Sequence, residues 1–424
     1  MTLTKDRFAV YTAILKEELV PAMGCTEPIA IAYAAAKAQS LLGEAATEAT
    51  VEVSGNILKN VKSVIVPHTG GLRGIEAACL AGISVGNADA ELEVLSSVTD
   101  EDLPKIAEAR KRCHVKVKQA VSPCVFVISV TLSGNCHTVS IRIEETHTNL
   151  VLVTKDGETL FEKRTLAAVE EEKKHALSVE DILDYAENIP LDEVKPILDR
   201  QIAYNMAIAE EGLAASYGAN IGKVLLSAYP NDVRVRAKAY AAAGSDARMN
   251  GCEMPVIINS GSGNQGITAS VPVIVYARET GASEERLYRA LLVSNLVTLH
   301  LKSGVGTLSA YCGVVSAGAG AGAGIAYLLG GGYKEIAHTV VNALAIDSGV
   351  ICDGAKGSCA AKIAIAVESG ILGYEMYRLG NQFYSGDGIV KKGVENTIKS
   401  VSSLAREGMK ETDKEILKLM TEDM

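Results

Sequence analysis

The sequence predicts an α+β protein: a first part with an antiparallel sheet and helices, then a mostly α-helical part with Gly-rich loops. Apolar residues alternate with period two in several runs before residue 155, whereas beyond about residue 158 their spacing becomes helical. The 424 residues include 39 Gly and no Trp, so the core has to consist of closely packed small-residue helices and aliphatic strands. We place the main boundary near residue 175, which gives predicted domains 1–175 and 176–424.

Helices are predicted at the start of the first part. Residues 4–19 carry apolar residues at helical spacing and stop before Pro21. Thr26 is expected to cap an Ala-rich helix that runs to Leu42 and closes at Gly43, so Cys25 stands just before a helix start. Residues 72–81 form a further predicted helix.

Strands are predicted where apolar and polar residues alternate. The segments are 48–53, 63–66, 115–118, 125–132, 138–143 and 149–154. The turn-like Ser54-Gly55-Asn56 follows the first strand, and Ser133-Gly134-Asn135 is typical of a hairpin turn. These runs together indicate an antiparallel sheet.

The second part is predicted to be helical almost throughout. Residues 162–175 and 178–187 are charged and helical, Ile189-Pro190 marks a break, and helices with Gly-rich interruptions follow. Residues 303–333 contain no charged residue and are long enough to span a bilayer, but they are rich in Gly and poor in Val, Ile and Leu. We therefore expect a buried, tightly packed segment rather than a membrane span.

The charge balance excludes some functions. The chain carries 41 Lys and Arg against 51 Asp and Glu, a net charge of −10, whereas general nucleic-acid binding needs a basic surface. Residues 1–10 do not resemble a signal peptide, so we expect a cytoplasmic protein with reduced thiols that serve metal binding or catalysis. A homodimer is compatible with the sequence, which does not fix the number of chains.

The nine cysteines fall into two groups. Five are expected to be structural: Cys79, Cys113, Cys124, Cys136 and Cys252. Four occupy special backbone, either before a helix start or beside glycines: Cys25, Cys312, Cys352 and Cys359. No CxxC pair is present, so from spacing alone these four are either ligands of one metal centre or buried thiols in a Gly/Ala core.

Three motifs carry a resemblance to a known family. They are Gly24-Cys25-Thr26-Glu27-Pro28, Tyr311-Cys312-Gly313, and Ile351-Cys352-Asp353-Gly354-Ala355-Lys356 with Ser358-Cys359. Together they resemble the iron–sulfur L-cysteine desulfidase family, which is related to the α-subunits of bacterial iron–sulfur L-serine dehydratases. The resemblance spans essentially the whole chain.

The resemblance implies a 4Fe-4S cluster held by cysteines from distant segments. The match places its ligands at Cys25, Cys312 and Cys352, with Cys359 either a fourth partner or a nearby spectator. It also implies a lyase that converts L-cysteine and water to pyruvate, ammonia and hydrogen sulfide without pyridoxal phosphate, and so a role in cysteine catabolism. The active site is expected between the two domains.

Three basic residues are candidates for the group that removes the Cα proton: His68, Lys302 and Lys356. Lys356 is alternatively a ligand of the substrate carboxylate. Polar, Gly-rich loops supply the expected substrate-binding residues: Ser54, Asn56, His68, Thr69, Gly70, Ser262, Asn264 and Gln265. The remaining histidines lack metal-pair spacing and are expected to be structural.

Two other functions remain open on the sequence. An iron–sulfur L-serine dehydratase would use the same chemistry with water as the leaving group. A non-catalytic sulfur-handling iron–sulfur protein would share the cluster but not the reaction.

Overall fold

The computed structural model describes residues 4–122, 124–163, 177–306 and 308–422. It confirms the predicted fold class: a sheet with helices comes first, and a mostly helical region follows. The helix predicted at residues 162–175 falls largely outside the described residues.

The strands lie almost entirely in the first part. Their bounds are β1 Pro21–Met23, β2 Glu48–Val53, β3 His114–Gln119, β4 Val127–Ser133, β5 Thr138–Glu144, β6 Leu150–Lys155, β7 Glu158–Glu162 and β8 Pro255–Ile257.

The helices divide between both parts. In the first part they are α1 Lys5–Glu18, α2 Thr26–Leu42, α3 Gly55–Val61, α4 Gly74–Val85 and α5 Leu103–Arg112. In the second part they are α6 Val179–Asn188, α7 Lys195–Ala214, α8 Ile221–Ala228, α9 Val233–Met249, α10 Gly263–Thr280, α11 Glu284–Val305, α12 Gly313–Leu328, α13 Tyr333–Asp347, α14 Cys359–Arg378, α15 Val394–Ser403 and α16 Lys410–Thr421. The chain also forms short 3₁₀-helical segments at Ala88–Glu93, Asp100–Asp102 and Leu191–Glu193. A short π-helical segment occupies Leu404–Gly408.

Six strands form one sheet in the order β3-β2-β4-β5-β6-β7. Strand β3 runs parallel to β2, and every other neighbouring pair in this sheet is antiparallel. Along β4, residues such as Ile128, Val130 and Leu132 are buried, while the residues between them are half-buried. This alternation is the period-two pattern expected of a sheet with one face on the core, where α2 packs.

Three local predictions were wrong. Residues 63–66 do not join the sheet, because Ile65 pairs only with Arg73 of the following loop. Ser54-Gly55-Asn56 is not a turn but the start of α3, with Ser54 in the extended conformation of a residue before a helix. Similarly, Cys25 rather than Thr26 occupies the cap position of α2.

The uncharged stretch forms the buried centre of the helical part. Val314 to Leu328 of α12 are all buried, and α12 contacts α10, α11, α13 and α14. In the described part of the chain, no helix combines the length and apolar character needed to cross a membrane. Strand β8 pairs antiparallel with β1, which fixes the chain before Cys25 against the helical part.

Candidate active site

Four cysteines from three distant segments line one cavity of about 100 Å³. Cys25 comes from the start of α2, Cys312 from the start of α12, Cys352 from the loop before α14, and Cys359 from its first turn. They are the four that the sequence distinguished from the structural cysteines, and the structure brings all of them together.

Backbone geometry holds Cys25 in place. Strand β1 ends at Met23, and Gly24 then takes a positive φ of 56° that turns the chain into α2. A side chain at Gly24 would also overlap the ring of Pro67. This position therefore requires glycine for two reasons, the positive φ and the lack of space for a Cβ. The Cys25 thiol then donates a hydrogen bond to Glu27 Oε2 at 3.0 Å.

Cys312 and Cys352 are placed side by side by a short antiparallel pairing of their loops. Tyr311 forms a bridge with Ile351, the Cys312 amide donates to Val350 O at 3.1 Å, and the Cys352 amide donates to Ala310 O at 2.6 Å. The two thiols are hydrogen-bonded to each other, and both interact electrostatically with Cys359. Cys25 lines the same cavity, and Cys359 packs against the apolar cluster that contains Cys25.

Helix starts surround the cavity. The first residues of α2, α10, α12 and α14 all contribute to its wall. Free backbone amides and the positive ends of helix dipoles favour anions, so this arrangement suits thiolates, sulfide and carboxylates.

The thiols differ in acidity. Cys352 accepts a hydrogen bond from the Cys312 thiol, and this bond lowers the pKa of Cys352 to about 6. The positive charge of Lys59 acts in the same direction, whereas burial opposes the shift. The same hydrogen bond and burial raise the pKa of Cys312 well above its usual value. Burial and the nearby Glu27 carboxylate raise the pKa of Cys25 in the same direction. The hydrogen bond from Cys312 thus favours the thiolate form of Cys352, which is the form of cysteine that binds soft metals.

Buried polar atoms without hydrogen-bond partners in the described part of the chain occur in several residues of the cavity wall. They are Asn56 Oδ1, Asn60 Oδ1, His147 Nε2, Arg248 Nε and Gln265 Oε1. Leaving such atoms unpaired costs about 1–3 kcal/mol each, and they are typical of a site that binds a polar ligand.

The structure places five of the predicted site residues on the cavity wall: Asn56, Ser262, Asn264, Gln265 and Lys302. Lys302 is buried and donates to the carbonyl of Gly306.

The other predicted residues lie outside this wall. The Ser54 hydroxyl donates to Val125 O at 2.8 Å, Thr69 donates to Val66 O at 2.7 Å, and Gly70 lies in the same loop as Thr69. His68 pairs with Glu253 at 3.3 Å, and Lys356 donates to the carbonyl and carboxylate of Asp353.

Sequence reasoning missed several polar residues of the wall, namely Glu27, Lys59, Asn60, Arg248 and His147, the last of which was counted among structural histidines. Glu27 lies inside the first motif and could have been selected for that reason. Lys59 donates to Cys352 O at 3.1 Å and to Asp413 at 2.6 Å, contacts that no local pattern signals. Burial lowers the pKa of His147, which favours the neutral form of its ring.

The donor set fits an iron–sulfur cluster better than a single ion. Within the described ranges, no three His, Cys, Asp or Glu side chains converge closely enough to hold one metal ion. A cluster does not require such convergence, because each thiolate binds a different iron atom. Four thiols around one cavity, with cations and helix starts beside them, satisfy that requirement.

Taken together, the fold and the site define a class of protein: an α+β protein with a thiol-lined polar cavity among the helix starts of its mostly helical part. Residues 89–418 match the family described as "Serine dehydratase alpha chain". The chain belongs to this family.

Curated relatives match along nearly the full length. UPF0597 protein DSY1109 of Desulfitobacterium hafniense is 57% identical over 419 residues, covering 98% of this chain and 97% of the relative. A UPF0597 protein of Lachnoclostridium phytofermentans is 51% identical, covering 96% and 98% of the two chains. One of Treponema denticola is 48% identical and covers both chains fully. These names specify no reaction.

Proposed function

We propose that the protein is a 4Fe-4S-dependent lyase that converts L-cysteine and water to pyruvate, ammonia and hydrogen sulfide. The observation that carries the proposal is the meeting of Cys25, Cys312, Cys352 and Cys359 on one cavity. Membership in a family described by a dehydratase supports elimination chemistry, since dehydration is also a β-elimination.

Cys312 and Cys352 are the ligands common to every arrangement that we propose. The third is Cys25, as the resemblance implies. The interaction of Cys359 with Cys312 and Cys352 supports a second set, in which Cys359 replaces Cys25. In both sets three thiolates hold the cluster.

A cluster with three protein thiolates would supply an open iron that acts as a Lewis acid toward a leaving sulfur or oxygen. The chain's own residues do the rest. Lys302 is the one of the three predicted bases that lies on the cavity wall. His147, whose pKa is lowered by burial and whose Nε2 has no partner among the described residues, is a second candidate for accepting the Cα proton.

The rival within the same chemistry is an L-serine dehydratase, which the family description favours. To separate the two, the protein is reconstituted anaerobically with iron and sulfide, and pyruvate is measured with L-cysteine and with L-serine. We expect sulfide and pyruvate in equal amounts and at least tenfold higher kcat/KM for L-cysteine. Higher kcat/KM for L-serine would replace the desulfidase by a dehydratase.

The non-catalytic alternative makes a different prediction. A protein that binds about four irons and yields no pyruvate from either amino acid would be a sulfur-handling protein, and the lyase proposal would fail. We also propose a cytoplasmic site of action in cysteine catabolism. The homodimer stays a prediction that the mass of the native protein in solution tests.

A further inference from the structure

We propose that Arg248 binds the α-carboxylate of the substrate, a role that rests on the proposed lyase function and defines its substrates as free α-amino acids. Arg248 lies in the last turn of α9 and reaches the wall of the cavity that the four cysteines line. It is only 4% exposed. A buried guanidinium needs anionic or polar partners, because desolvation of an unpaired charge is costly.

The bonding of Arg248 leaves donor capacity for a ligand. Its Nη1 donates to Asn264 Oδ1 at 3.1 Å, which fixes the plane of the guanidinium. Its Nε has no partner among the residues that the structure describes. A guanidinium offers a fork of donors that matches the two oxygens of a carboxylate.

The other cations of the wall are already engaged. Lys59 donates to Cys352 O and to Asp413, and Lys302 donates to Gly306 O. Lys59 and Lys302 thus already donate to carbonyl or carboxylate groups of the chain itself. Arg248 is therefore the cation best prepared for an incoming carboxylate.

A glycine makes room for the guanidinium. Gly263 begins α10, and a Cβ added there would lie 2.7 Å from Arg248 Cζ and closer still to Nε. The space that Gly263 leaves is therefore taken by Arg248.

Acceptors complete the recognition of an amino acid. Asn56, Asn60 and Gln265 line the same cavity, and their side-chain oxygens, which have no partner among the described residues, can accept hydrogen bonds from an ammonium group. A zwitterion with a small side chain would thus satisfy donors and acceptors that are otherwise buried without partners.

The test compares Arg248→Lys with Arg234→Lys, a matched control on an exposed part of the same helix. Lysine keeps the charge but loses the fork, so we expect a ten- to hundredfold rise in KM for L-cysteine with iron content unchanged. The control should keep the wild-type KM. Unchanged KM in Arg248→Lys would overturn the assignment.

Gly263→Ala provides a second variant that displaces the guanidinium without removing it. We expect a rise in KM in the same direction, with the circular dichroism spectrum of the wild type. Should Arg248→Lys fail to fold, this variant decides the matter, and an unchanged KM would then overturn the role of Arg248.

A binding experiment separates this proposal from the lyase function. Calorimetry is run with 3-mercaptopropionate, which has the carboxylate, and with cysteamine, which lacks it. We expect Arg248→Lys to weaken binding of 3-mercaptopropionate at least tenfold and to leave cysteamine unaffected. This result in a protein that eliminates neither amino acid would keep the carboxylate site and reject the lyase. If the enzyme is active but wild type and variant bind 3-mercaptopropionate equally, the lyase function is kept and the carboxylate site at Arg248 is rejected.

Discussion

Cys312, Cys352 and Cys79 are all shielded from solvent to a large degree, but their surroundings differ. Cys79 lies inside α4 and its thiol is surrounded by the apolar core. Cys312 and Cys352 face a polar cavity beside helix starts. We therefore expect Cys312→Ala and Cys352→Ala to lose the cluster, and Cys79→Ala to retain it at a stability cost of about 1 kcal/mol. Iron and acid-labile sulfide analysis after anaerobic purification measures the result.

The same measurement decides the third ligand. Loss of the cluster in Cys25→Ala, with Cys359→Ala intact, supports the set that the resemblance implies. The opposite pattern supports Cys359. A full cluster in Cys312→Ala or Cys352→Ala would contradict both sets.

The cysteines were predictable from the sequence because each sits in a motif with special backbone. Their cationic neighbours were not. Lys59 and Cys352 are 293 residues apart, so their contact depends on the packing of α3 against the loop before α14. Arg248 follows an Ala-rich stretch of α9, and only its burial and its unpaired Nε show that it faces a cavity.

At the scale of elements, helix α16 is connected to the loop that carries Cys352 through one buried cation, Lys59. The Lys59 side chain is 2% exposed and pairs with Asp413 of α16, whose side chain is 20% exposed. Gly354 approaches Lys59 so closely that a Cβ would lie 2.5 Å from Lys59 O. Helix α16 thereby helps to fix the loop that carries Cys352.

Asp413→Asn should therefore loosen both elements. Removing the carboxylate leaves Lys59 buried beside a carbonyl, which we expect to lower the free energy of unfolding by about 2 kcal/mol. Hydrogen exchange should increase in residues 350–356 as well as in α16. Glu411→Gln is the control, because Glu411 is exposed and pairs with Lys414 at the surface. Equal exchange in the two variants would show that α16 does not support the loop.

The elements themselves were predictable to different degrees. Strands β2, β4, β5 and β6 followed from alternation, since one face of the sheet is buried. The start of α3 was misread because Ser-Gly-Asn is equally typical of a turn and of a helix start. Which partner strands pair, including parallel β2 and β3, depends on contacts across the chain that periodicity does not encode.

At the scale of the whole molecule, the glycine-rich tract accounts for the close packing of the helices in the helical core. The two faces of α12 carry separate glycine pairs. Gly318 and Gly322 face the backbone of α14, and Gly320 and Gly324 face α11. The backbone of α12 therefore lies in direct contact with α11 and α14. This close packing explains how the uncharged stretch forms the centre of the helical core.

Substituting Gly322 should test this packing and its link to the site. Alanine in a helix interior gains about 1 kcal/mol in helix propensity. Here, however, the new Cβ would lie 2.6 Å from Gly370 O, a backbone atom of α14 that cannot rotate away. We expect overpacking to dominate and to lower the free energy of unfolding by about 2 kcal/mol net, measured by chemical denaturation.

The position of Cys312 at the start of α12 extends this expectation to the site. A displaced α12 carries Cys312 with it, so Gly322→Ala should also retain less iron than the wild type. Gly332→Ala is the matched control, since Gly332 follows the opposite end of α12 from Cys312, lacks a positive φ, and would place an added Cβ at an ordinary 3.6 Å from the end of the flexible Glu335 side chain. A Gly322→Ala protein as stable and as iron-rich as the control would show that α12 and α14 have room to separate, and that close helix packing does not determine where Cys312 lies.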